Sequence, residues 1–112
     1  MSLNIQNLKN DLKIMIVDCE KEALRRIKDN EFLEAFEEQN AKEALLELDA
    51  RIIVLDSEEA ILESIEKLLK EYDNHIKTNK KVHNAFYCKV CSDKIREIED
   101  NILNEIRQGT YD

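Results

Sequence analysis

Two cysteines three residues apart, in Cys88-Lys89-Val90-Cys91, are the pair whose spacing most suggests chemistry in this chain of 112 residues. Thiolates at that spacing reach one tetrahedral zinc ion, either from a knuckle turn or from one face of a helix. The pair is half a site. His83 is the nearest further ligand, followed by His75 and Cys19, and two copies across a twofold axis could together offer four sulfurs. Ser92 stands where a knuckle favours glycine. The competing assignment makes both cysteines small apolar residues of a helix core. A thioredoxin-like role lacks its βαβ surroundings, and no histidine follows Cys91 for haem attachment. No cofactor is therefore expected, with zinc on Cys88, Cys91 and His83 as the alternative.

Catalytic spacings are missing. Tyr72 and Lys80 precede His75 and His83 by three residues, so the Glu-x-x-His pairs of di-iron bundles are not formed. Neither Gly-x-Ser-x-Gly nor His-Glu-x-x-His occurs. Carboxylates are abundant, but acid–base catalysis needs them to converge in a pocket. The expectation is a protein that is not an enzyme.

Charge is the next candidate. The formal net charge is −8, yet it is unevenly spread. Residues 29–49 hold eight acids against Lys42, a local −7, while residues 77–96 hold six bases against Asp93, a local +5. Glu34, Glu37, Glu38 and Glu43 mark the acidic segment, and Lys80, Lys81, Phe86, Tyr87 and Lys89 mark the basic one, as candidate partner contacts. Lysines beside aromatics can hold phosphates and stack bases. The overall acidity opposes direct nucleic-acid binding. The basic segment can instead dock on the acidic one, in the same chain or in a second copy. An acidic helical surface can also imitate a phosphate backbone and block a nucleic-acid-binding protein, as phage inhibitors of CRISPR or restriction enzymes do.

The elements that must position these residues follow from composition. There is no proline and one glycine, Gly109, where a typical chain of this length carries about eight glycines and about six prolines. Hairpin turns, bulges and phosphate-binding loops rely on glycine for φ > 0. Sandwiches, small barrels, Walker loops and Rossmann fingerprints are thereby excluded. Apolar residues form 43% and charged residues 38% of the chain, the balance of long helices rather than of disorder.

Four helices are expected in one domain over 1–112: about 4–28, 31–55, 57–77 and 92–108, with a connection over 78–91. In the first, Ile5, Leu8, Leu12, Met15, Cys19, Ala23 and Ile27 make a seam, and Ile14, Ile16, Val17 and Leu24 a second apolar edge. Asn30 is the expected N-cap of the second, followed by Phe32, Leu33 and Phe36 as an aromatic anchor. Its stripe then runs through Ala41, Leu45, Leu48, Ile52 and Leu55. Asp56 or Ser57 caps the third, which carries Ile61, Ile65, Leu68, Tyr72 and Ile76. The fourth carries Ile95, Ile98, Ile102 and Ile106, closed by Gly109. It starts either at Ser92 or near Asn84. In the second case Cys88 and Cys91 extend its apolar face.

The fold class is all-α: a four-helix bundle, or a long helical hairpin with two further helices. Stripes this long point to a homodimer. No apolar run spans a membrane and no signal peptide is visible, so a cytoplasmic location is expected. The functional expectation is a helical protein–protein interaction module, acting as a small regulator, adaptor or inhibitor through its surface. The alternatives are the acidic nucleic-acid mimic and a zinc-stabilised protein contacting nucleic acid through 77–96.

Overall fold

The computed structural model describes residues 4–78 and 82–109, with side chains over 4–78 and 86–107. It is all-α, and the described residues contain no strand. The helices are α1 (Ile5–Lys28), α2 (Phe32–Ile52), α3 (Glu58–Thr78) and α4 (Val82–Gly109).

The helix ends show how a chain nearly free of glycine turns corners. Asn4 caps α1, its side chain accepting from the Asn7 N–H at 3.0 Å. At the other end Asn30 adopts φ 62°, among the described residues the one non-glycine with positive φ. The Asn30 N–H donates to the Ile27 carbonyl at 3.1 Å and the Glu31 N–H to the Arg26 carbonyl at 2.8 Å. That is a Schellman termination, with asparagine in the place glycine usually takes because its short side chain tolerates the left-handed region. Asn30 therefore closes α1 and does not cap α2. The N-cap of α2 is Glu31, which makes no side-chain capping bond.

α2 stops at Ile52, short of Leu55, where the β-branched run Ile52-Ile53-Val54 is a poor helix former. Ser57 caps α3, accepting from the Ala60 N–H at 3.2 Å, which decides between the two expected caps. α4 begins at Val82 and not at Ser92. Most of the expected 78–91 connection is thus helix, and Gly109 lies in the last turn of α4.

α1 and α2 form one hairpin, crossed by Lys9 Nζ on the Ile53 carbonyl at 3.0 Å and by a Lys42–Glu20 pair at 3.8 Å. α3 and α4 form the other, linked by Arg96 and Asp73 at 3.1 Å. The hairpins meet mainly where α2 packs on α4. The expected stripes close the core: Leu12 and Cys19 from α1, Leu45, Leu48 and Ile52 from α2, Ile61, Ile65 and Leu68 from α3. α4 adds Cys88, Cys91, Ile95, Ile98 and Ile102, spaced by three and four along one face. Each fully buried Leu or Ile contributes about 1.5–3 kcal/mol relative to exposure.

Two expected core groups are not covered. Ile27 leaves the α1 seam and is exposed. Phe32, Leu33 and Phe36 are exposed as well, so the expected anchor faces outward.

Candidate functional site

The cysteine pair lies inside the protein. Cys91 has no exposed surface and Cys88 is also buried. The Cys91 thiol donates to the Asn40 carbonyl of α2 at 3.3 Å. The hydroxyls of Tyr72 and Tyr87 lie beside its sulfur. Tyr87 also lies beside Glu43. Burial pushes the Cys91 thiol up to about 11, and the two tyrosines offset only part of that. Burial likewise raises Cys88. Neutral thiols are neither nucleophiles nor metal ligands until they lose a proton. All three cysteines are free.

Among the described residues no three His, Cys, Asp or Glu side chains are grouped to hold a metal. Cys19 sits apart, in a cleft with Met15, Glu38 and Lys94. His83 belongs to the first turns of α4, and its side chain lies outside the described residues. Sequence reading missed the partners of Cys91. Tyr72 was legible only as one more apolar step in the α3 stripe, although a tyrosine in a core needs a partner for its hydroxyl. Asn40 gave no signal beyond its polarity, and its Nδ2 is buried without a partner.

The second candidate is the corner where α2 and α4 begin. Phe36 stacks on Phe86 with centroids 5.9 Å apart and planes 11° from parallel. Beside them Phe32 is 62% and Leu33 59% exposed. Glu34 and Glu37 are exposed on the same turns, with no ion pair. The other two acids are engaged, Glu38 at Cys19 and Glu43 at Tyr87.

The basic segment does meet the acidic one within the chain, through Phe86 on Phe36, Tyr87 on Glu43 and Cys91 on Asn40. Its charges go elsewhere. Lys89 pairs with Asp93 at 2.8 Å, Lys94 with Glu97 at 3.5 Å and Arg96 with Asp73. Lys80 and Lys81 lie outside the described residues.

A third group is the clasp between α2 and α3, where Arg51 donates to both Glu71 oxygens at 2.6 and 3.1 Å. The guanidinium holds the Glu71 carboxyl below the usual carboxylate range. An open cleft of about 550 Å³ runs beside it, past Leu55, Glu63 and Lys67. No described helix is long and apolar enough to cross a membrane. No protein-family model matches this chain, and no curated protein or solved structure is significantly similar to it.

Proposed function

We propose that this chain is a helical interaction module that binds a protein partner through the corner formed by Phe32, Leu33 and Phe36. The observation that carries the reading is the exposure of these three large apolar side chains at one helix start. Aromatic residues in such a patch serve as anchors that fill a partner's pocket. Glu37, one turn after Leu33, and its neighbour Glu34 add unpaired negative charge on one side, so the fitting partner is an apolar pocket with a basic flank. Binding rather than turnover is the consistent chemistry, since the thiols are held neutral and the best-placed carboxylate is clasped by arginine.

The acidic mimic is the second reading, favoured by the unpaired Glu34 and Glu37. A surrogate for a phosphate backbone presents charge without apolar interruption, and Phe32 and Leu33 interrupt it. For the zinc-stabilised reading, Cys88 and Cys91 have no third ligand grouped with them among the described residues.

The test is a photo-cross-linking side chain at position 33, carried by the otherwise intact protein in its native host, with position 66 on α3 as control. A protein adduct at 33 that is absent at 66 supports the module. Phe32→Ser should then weaken that partner at least ~30-fold, the scale of an anchor residue, with stability unchanged within ~0.5 kcal/mol. No adduct specific to position 33 overturns the reading. An adduct whose binding is lost in Glu34→Gln/Glu37→Gln but kept in Phe32→Ser moves it to the acidic mimic.

A further inference from the structure

All the exposed large hydrophobics among the described residues belong to α1, α2 or the turn that follows α2; α3 and α4 have none. The α3–α4 hairpin thus covers one side of the α1–α2 layer and leaves the other open. On α1, Ile14, Val17 and Leu24 are 59%, 48% and 56% exposed. Their spacing of three and seven puts them on one face, turned away from the buried Leu12, Cys19 and Ala23. Lys13, Lys21 and Lys28 fall on that same outward face, exposed and without an ion pair. On α2, Leu46, Ala50 and Ile53 repeat by four and three and are exposed. The Lys42–Glu20 pair crosses the seam between the two stripes: Glu20 lies between Val17 and Leu24, and Lys42 one turn before Leu46. The stripes therefore adjoin on one outward surface.

We propose that this outward surface of the α1–α2 hairpin docks a second copy of the chain about a twofold axis, α1 of one copy lying across α2 of the other. Charge selects that pairing. α1 against α1 would oppose two rows of lysine, whereas α2 carries Glu43 and Asp49 beside its stripe against Lys42. Area permits it. A layer of two helices about 30 Å long and about 20 Å wide offers roughly 600 Å² per copy, within reach of the ~800 Å² per partner of a stable interface. The twofold arrangement uses the same patch on both copies and covers both stripes at once. It does not involve the Phe32 corner, so either proposal can fail alone.

Sedimentation equilibrium on the full chain from ~1 to ~100 μM, the range of a micromolar dimer, reads the state. Twice the chain mass is expected. Val17→Glu with Leu24→Glu should raise the dimer dissociation constant at least 100-fold. The reversal Lys13→Glu, Lys21→Glu and Lys28→Glu should raise it at least tenfold. Helix content should stay unchanged in both, because every substituted side chain is exposed. A cross-linker at position 17 of the otherwise unaltered chain should give a self-adduct, which keeps the test valid if a variant fails to fold. A wild-type chain at single mass throughout, a dimer unmoved by both variants, or no self-adduct at position 17 overturns the inference. So does a monomer that sediments with phosphatidylserine vesicles, which would assign the lysine-flanked stripe to a lipid surface.

Discussion

Replacing Cys91 by alanine removes a sulfur with no exposed surface and, with it, a donor to the Asn40 carbonyl. Three costs follow. Loss of one buried apolar atom costs about 1 kcal/mol, and the small void it leaves adds about 0.5 kcal/mol. The Asn40 carbonyl loses the thiol that donates to it, a bond worth about 0.5–1.5 kcal/mol. The expected loss is about 2–3 kcal/mol, which lowers Tm by roughly 10 °C in a domain of this size. Serine retains a donor and an acceptor and should lose only about 1 kcal/mol. Urea unfolding followed by circular dichroism ranks the three proteins: wild type, then Cys91→Ser, then Cys91→Ala. Excess chelator should leave the wild-type midpoint unmoved. A serine variant as damaged as the alanine one, together with a midpoint that collapses under chelator, would refute the packing argument and put a metal on the thiols.

Three further outcomes follow from the same contacts. The Cys91 thiol titrates near 11 when folded and near 9 when unfolded. Folding therefore favours its neutral form, and that contribution is complete below pH 9 and lost as pH rises toward 11. Wild type should lose up to about 1.4 kcal/mol per pH unit more than Cys91→Ser across that window, measured by urea midpoints. Glu71 has the opposite sign: its folded carboxyl is lowered, so its contribution is present above the ordinary value of 4.5 and disappears as pH falls below it. Glu71→Gln should flatten that acid limb, by less than about 1 kcal/mol because the pair is partly exposed. Asn40→Leu removes a buried amide nitrogen without a partner and leaves the carbonyl that Cys91 uses, so it should stabilise by about 1 kcal/mol in the same assay.

The α3 stripe and the Ile95–Ile102 stripe were legible because a fixed spacing of three and four has one helical meaning. The start of α4 was not. Val82–Cys91 mixes lysine, aromatics and cysteine, and its periodicity emerges only when Cys88 and Cys91 are counted as apolar steps leading to Ile95. Asn30 was misplaced because asparagine serves both as an N-cap and in a left-handed termination, and local sequence does not separate the two. The exposed Phe32, Leu33 and Phe36 were misread for a different reason. Sequence shows that a side chain is apolar, and only the assembled hairpins show which faces remain uncovered. The scarcity of glycine and proline held its meaning throughout, since Asn30 takes the one left-handed corner among the described residues.

The central claim is that the exposed corner at the start of α2, and not the buried cysteines, meets the partner. Cross-linking from position 33 tests it most directly. A protein adduct formed at 33, absent at 66 and unchanged when Cys88 and Cys91 are both serine, is the expected result. Adducts equally frequent at both positions, or lost with the cysteines alone, would contradict it.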